Sequence, residues 1–405
     1  MTDEHVVYAI ADTHLGLREK TRYSHNDEPQ VVGEFLRWLI ALSGKDGETL
    51  LTLEANAIVP RPLSPASHLV LLGDILELWD AENQAILLSS IPQTAILENL
   101  EAEKIYILGN HDNILETLAG SYPLGTPEMN VVKEVYPEPD EDTGIVLPLR
   151  IGTQSFIFIH GHQLDRFSSV TIHASQVLGT FRQLGAALGS YAWLIFGFWW
   201  AALLAQWFGG APLWGWVLLL VLALLWIPRL YMTVARPIYR KAVGRRYKRN
   251  GALEGFVSWW KRFRKLLAKT GDLGVVYGHT HIIDWFETDP QRERGPELVG
   301  TEKKLSDIFE RLGWTRQALY NVSSWVSAKG KHEKEIMATI FYADERGPLL
   351  LGWDWKSKHP FHIPFEFIRK RWKGQVLDES EISIAERLGW PPKFVEKWLT
   401  RAEKV

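Results

Sequence analysis

Five short polar clusters in this 405-residue chain group side chains that could do chemistry: Asp12-Thr13-His14, Gly73-Asp74, Gly109-Asn110-His111-Asp112, His160-Gly161-His162 and Gly278-His279-Thr280-His281. Carboxylate, amide and imidazole groups are the ligands that Mn, Fe, Zn, Mg or Co ions accept. Two such dications held close together need a shared carboxylate to screen their repulsion, and Asp74 is the candidate bridge. Asp12, His14 and His281 then complete one ion's set; Asn110, His160 and His279 complete the other. Two carboxylates against two dications leave roughly two positive charges, which favours an anionic phosphoryl ester and acidifies a bridging water, the expected nucleophile. The chain has no cysteine, so a thiol nucleophile, a disulfide framework and a zinc ribbon are excluded.

His111, next to the ligand Asn110, is the expected catalytic residue, donating to the leaving oxygen or to a nonbridging phosphoryl oxygen. Asp112 either orients His111 or caps a helix starting near Asn113; both readings stand on sequence. His162 is either a donor behind the ligands or a polar turn residue.

Each cluster closes a short apolar run, over residues 6–11, 68–72, 104–108, 156–159 and 273–277, and these runs read as buried strands. Helical spacing over residues 31–42 and 81–100 gives an alternating strand and helix order. In such sheets ligands gather where the strands end, so five clusters at strand ends can converge on one site. The later runs 319–326, 336–342 and 348–355 come one after another without long helices and suggest an antiparallel continuation. The expected fold class is α/β, a two-sheet sandwich flanked by helices.

One segment breaks this pattern. Residues 183–228 contain no Asp, Glu, Lys, Arg or His. Two apolar pieces, 191–208 and 211–230, overlap this region and are separated by Gly209 and Gly210, and the first would span about 27 Å as a helix, close to a bilayer's hydrocarbon thickness. Trp193, Trp199, Trp200, Trp207, Trp214, Trp216 and Trp226 lie in or at the ends of these pieces, where an aromatic belt would fall. Residues 229–271 then hold many Lys and Arg against one acid, Glu254, a juxtamembrane pattern. The pattern predicts a membrane hairpin, spanning or monotopic, with the rest of the chain on the cytoplasmic side; a hairpin buried in a homodimer is the alternative.

The expected domains are a first core part over 1–162, a hydrophobic and basic helical insertion over 163–271, a second core part over 272–355, and a basic helical tail over 356–405. In that tail Trp372, Trp390 and Trp398 could form a second membrane anchor, or an amphipathic packing helix. The net charge of −3 argues against bulk polyanion binding, so no nucleic-acid partner is expected. Nineteen Trp and a mean hydropathy of −0.10 are high for a simple soluble hydrolase.

The ordered set D-x-H, G-D, G-N-H-D, H and G-H-x-H, covering residues 8–281, resembles the calcineurin-like metallophosphoesterase superfamily. The stretch Tyr320-Asn321-Val322-Ser323-Ser324-Trp325 is similar to that family's N-x-G-S strand, with Ser323 in place of Gly. The resemblance implies a four-layer α/β/β/α sandwich and a binuclear metal centre on the ligands named above. The insertion occupies the slot of the helical lid in UDP-2,3-diacylglucosamine pyrophosphatases. It departs from them in being far more hydrophobic, in having His111 where they often have Arg, and in the longer chain. The resemblance and the insertion together lead us to expect a membrane-associated phosphohydrolase with two divalent ions, manganese first, acting at the cell membrane on a lipid-linked phosphate. A soluble nucleotide or phosphoprotein substrate is the alternative.

Overall fold

The computed structural model describes residues 5–15, 28–44, 47–76, 78, 93, 95–112, 115, 129–164, 200, 203, 256, 259–260, 263, 265–267, 272–279, 283–288, 316–322, 325, 338–373 and 375–399. The chain divides into two compact units, residues 1–165 with 252–405, and residues 166–251. Of the second unit only Trp200 and Leu203 are described, both helical, with Trp200 half exposed. The hairpin expected over 183–228 otherwise lies outside the described residues. Among the described residues no helix is long and apolar enough to cross a membrane.

The first unit is mixed α/β with several sheets. Its elements begin β1 (Val7–Ile10), α1 (Glu28–Ser43), β2 (Glu48–Glu54), β3 (Ala57–Leu63), β4 (His68–Leu71), β5 (Glu103–Ile107) and β6 (Met129–Val132). They continue β7 (Val135–Tyr136), β8 (Leu149–Ile151), β9 (Gln154–Ile159), β10 (Asp272–Tyr277), β11 (Asp284–Thr288) and β12 (Arg316–Asn321). The chain closes with β13 (Thr339–Asp344), β14 (Gly347–Asp354), β15 (His359–Ile363), α2 (Phe365–Trp372), α3 (Glu379–Arg387) and α4 (Pro392–Leu399).

A seven-stranded sheet runs β15-β14-β13-β1-β4-β5-β6, and a six-stranded sheet runs β11-β12-β10-β9-β7 with β8 also on β9. β1, β4, β5 and β6 are mutually parallel, as are β9, β10 and β12. β13, β14 and β15 continue the first sheet antiparallel, as expected for the 336–342 and 348–355 runs. The 319–326 run departs from that expectation: it becomes β12, which pairs parallel with β10 in the other sheet. The hairpin β2–β3 was not legible, because Pro60 and Pro62 interrupt its second strand with residues that cannot donate to a ladder.

Strand alternation splits the core into layers. On β1, Val7 and Ala9 join a cluster with Phe156 and Phe158 of the second sheet, while Tyr8 and Ile10 pack with Phe35, Leu36 and Leu39 of α1. The four consecutive buried residues of β1 reflect that coverage of both faces. Phe341 of β13 bridges the sheets, its ring 5.5 Å from Phe156 and 5.1 Å from Tyr320.

Two boundaries differ from the sequence reading. Phe256, Trp259, Trp260 and Phe263, placed on sequence in the insertion, are buried against Ile157 and Ile159 of β9 and Val275 and Tyr277 of β10. The Val146 N–H donates to Leu266 O at 2.6 Å, fixing the end of that segment to the first unit. The residues after 356 are not a separate tail either. β15 extends the first sheet, and Trp390 and Trp398 are buried with Phe361 and Phe394, so neither is a membrane anchor. Their apolar rings complete a core that the strand alone leaves open.

Candidate metal centre

Because β1, β4 and β5 are parallel, the loops after them emerge at one edge of the first sheet; β9 and β10 deliver His160 and His279 from the second. Asp12, His14, Asp74 and His279 all have positive φ, at 52°, 45°, 51° and 70°. Such backbone is strained for residues with a Cβ, and persists only where the surroundings over-determine it. Here the surroundings are other loops. Asp12 and His14 donate their N–H groups to Gly73 O at 3.1 Å and Asp74 O at 2.9 Å. Ile75 O accepts from Leu15 N–H at 2.8 Å and from the Thr13 hydroxyl at 2.9 Å. Across the sheets, His279 N–H donates to Asp12 Oδ2 at 2.7 Å.

The glycines of the motifs have a steric cause. A Cβ on Gly109 would stand 2.2 Å from Asp74 Oδ1, and one on Gly278 would stand 2.4 Å from the Ala11 Cβ and 2.9 Å from Asp12 Oδ2. Each clears the space in which a neighbouring loop's carboxylate sits.

Asp74 is the centre of the arrangement. Its Oδ1 accepts the His111 N–H at 2.8 Å, and its Oδ2 lies 3.4 Å from His160 Nε2 and 4.0 Å from His111 Nε2. His160 Nδ1 donates to Leu72 O at 2.6 Å, since a carbonyl can only accept, and this directs Nε2 at Asp74 and at Asn110 Oδ1, 3.2 Å away. The His14 and His111 rings meet edge-on at 4.8 Å between centroids, and those of His160 and His279 at 4.9 Å. Two sets could each hold a metal ion, His14 with Asp74 and His111, and Asp74 with His160 and His279; within each, the ligand atoms lie within 4.8 Å of one another. Asp74 belongs to both.

The charges fit a cation. Burial pushes the Asp74 carboxyl up, but His160, His111 and His14 outweigh it and hold it well below the usual carboxylate range. Asp12 is pushed up to about 7, first by burial and then by the neighbouring Asp74, against the pull of His160. Burial lowers His160, yet Asp74 and Asp12 together raise it to about 9. The pocket therefore favours positive charge at Nε2, which is what a metal ion supplies.

His14, Asp74, His160 and His279 lie in these two sets, Asp12 and Asn110 adjoin them through the His279 N–H and His160 Nε2, and His281 lies outside the described residues. His111 joins His14 and Asp74 in one of these sets, so a ligating place is open to it beside the catalytic one expected. Asp112 is corrected. Its carboxylate is fully buried and accepts from Gly109 N–H at 2.6 Å, Ile75 N–H at 2.9 Å and the Tyr106 hydroxyl at 2.6 Å. None of these bonds reaches the His111 ring, because a carboxylate buried this deeply takes the nearest donors, and those belong to the loops; the helix start expected near Asn113 lies outside the described residues. His162 opens a short 3-10 turn and also lies beside the site, its ring 5.3 Å from His160. Burial, then His160, pushes its imidazole down to about 3, so it is neutral. Tyr106 escaped the sequence reading; the one available signal was a hydroxyl on an otherwise apolar strand face, which must find a partner when buried.

Neither a scan against protein-family models nor a search of curated proteins matches this chain to any other.

Proposed function

We propose that the chain is a metal-dependent phosphohydrolase of the calcineurin-like metallophosphoesterase type, built on a four-layer α/β/β/α sandwich. The observation that carries this reading is Asp74, one carboxylate common to two adjacent ligand sets. Two divalent ions, manganese first, would supply Lewis acidity toward a phosphoryl oxygen and acidify an attacking water.

The chain's own residues do the rest. Asp74 stays ionised at neutral pH, and can bind on both sides. His160 is locked in one tautomer by Leu72 O and presents Nε2, with Asn110 Oδ1 alongside. Asp12 holds the His279 backbone, and so the second sheet's loop, against the first. His111, whose side chain is about a fifth exposed where Asp74 is closed off, is placed to give a proton to the departing oxygen as the P–O bond breaks and the water oxygen bonds to phosphorus.

The charge-free run 183–228 and the cationic stretch after it support a membrane location with the site on the cytoplasmic side and a lipid-linked phosphate as substrate. Phosphorus NMR of the detergent-purified protein with Mn²⁺ and a total membrane lipid extract tests this, with Asp74→Ala as the blank. Conversion of a lipid resonance by the wild type alone is the expected result. Untouched lipids beside a hydrolysed aryl phosphodiester would overturn the lipid assignment and keep the hydrolase; no hydrolysis of either would overturn both.

A further inference from the structure

Tyr106 lies on β5, buried in the layer between the first sheet and α1, two residues before the loop that carries Asn110 and His111. Its hydroxyl reaches past the end of the strand to the loops, and it ends on Asp112 Oδ2 at 2.6 Å. Burial, and then the Asp112 charge, raise the phenol well above its ordinary value, so it remains a donor at every working pH. Asp112 in turn grips Gly109 N–H in its own loop and Ile75 N–H in the loop after β4. Ile75 is also the point to which the β1 loop is fastened, through Leu15 N–H and the Thr13 hydroxyl. A single chain of bonds therefore runs from the core to three of the loops that carry the metal ligands.

We propose that Tyr106 is a positioning residue of the metal centre: through Asp112 it sets the separation between the β4 and β5 loops, and so where Asp74 stands relative to Asn110 and His111. The inference rests on the metal-centre reading above and names a residue outside the ligand set. With Gly109 N–H on Oδ1 and Ile75 N–H on Oδ2, the buried carboxylate still has an open acceptor position on Oδ2, and the Tyr106 hydroxyl fills it from a fixed place on a strand, tying both loops to the core. Partners bonded directly to metal ligands typically control metal affinity by about 10- to 100-fold, and Tyr106 acts from further back, through Asp112 and the backbone next to Asp74 and Asn110, so its effect lies at the lower end of that range.

Tyr106→Phe deletes one oxygen and keeps the ring's packing. Tyr8→Phe is its control, because the Tyr8 hydroxyl is buried in the same layer and donates to Ser64 O at 2.9 Å, away from the ligands. Mn²⁺ titration calorimetry and the Mn²⁺ EPR spectrum of the full-length detergent-purified protein are read well below the melting temperature. The expected result is Mn²⁺ affinity weakened by up to about 10-fold in Tyr106→Phe, with an altered spectrum, and unchanged affinity in Tyr8→Phe. Asp112→Asn is expected to weaken Mn²⁺ as well, and combining it with Tyr106→Phe should add nothing, since both break one chain. Wild-type Mn²⁺ affinity in Tyr106→Phe, or equal weakening in both Phe variants, overturns the inference alone. A wild-type protein that binds no divalent ion overturns the metal centre and the inference with it.

Discussion

Asp112 Oδ2 accepts the backbone N–H of Ile75 at 2.9 Å, which plants a carboxylate from the loop after β5 in the loop after β4. The exchange is mutual: Asp74, in the loop after β4, accepts the N–H of His111 in the loop after β5 at 2.8 Å. Each buried charge is thus satisfied by the other loop's backbone. The two loops cannot separate without leaving both carboxylates short of a donor.

Asp74→Asn keeps an oxygen to accept from His111 N–H and removes the charge shared by the two ligand sets. Bound Mn²⁺, measured by elemental analysis after gel filtration, is expected to drop, and aryl phosphodiester hydrolysis to fall by more than the roughly 100-fold that loss of an outer partner can cost. Full metal content in this variant would remove Asp74 from the bridging position.

Gly109→Ala places a Cβ where Asp74 Oδ1 now sits, 2.2 Å from it. Metal affinity and melting temperature should fall together, because the carboxylate and the strained Asp74 backbone must both move. Gly44→Ala, whose Cβ would meet nothing nearer than Ala41 O at 4.0 Å, should change stability by no more than about 0.5 kcal/mol. Calorimetric melting of both variants checks the contrast; equal melting temperatures would show that the loop yields easily.

His362 on β15 makes stability depend on pH. Its Nδ1 accepts the Leu53 N–H at 3.0 Å, which ties the β2–β3 hairpin to the sheet and requires a neutral ring. Burial, then the nearby Arg61, pushes the imidazole from 6.5 down to about 3. The unfolded chain therefore takes up a proton that the folded chain refuses. The contribution is complete above pH 6.5 and is lost as pH falls from there toward 3, at about 1 kcal/mol per pH unit. Urea midpoints at pH 7.5 and pH 5.0 should differ less in His362→Gln than in the wild type, and an unchanged difference would clear His362 of this role.

Arg61 and Asp344 form a buried ion pair, with Arg61 also donating to Gly347 O at 2.6 Å and lying 5.7 Å over the Tyr342 ring. Arg61→Met strands the Asp344 charge and should cost about 3–5 kcal/mol in urea unfolding. Adding Asp344→Asn, which keeps an oxygen for the Arg346 N–H and turns an amide N–H toward the Tyr342 hydroxyl oxygen, should recover much of that loss. Additive costs in the double variant would mean the pair is not coupled.

The site was more legible than the fold around it. The ligand types, their order and their place after apolar runs are local facts, and parallel pairing brings such strand ends to one edge by geometry alone. α1 was legible for the same reason: Val31, Phe35, Leu39 and Leu42 keep one face apolar over residues 28–43. The parallel pairing of β12 with β10 was not legible, because strand partners are chosen by long-range packing, here Tyr320 against Phe156 and Phe341, and periodicity does not record a partner. Trp390 and Trp398 look alike in sequence whether they meet lipid or Phe394; only the fold brings Phe361 and Phe394 to them.

By itself, then, the sequence determined which side chains could bind metal and that they come after strands, since ligand chemistry and strand periodicity are written residue by residue. Only the tertiary structure decided that Asp74 stands between two imidazole sets and that Asp112 holds loops instead of His111, and it alone revealed Tyr106. Those are hydrogen bonds between groups up to dozens of residues apart, and which buried donor a carboxylate finds depends on the loops that folding brings beside it.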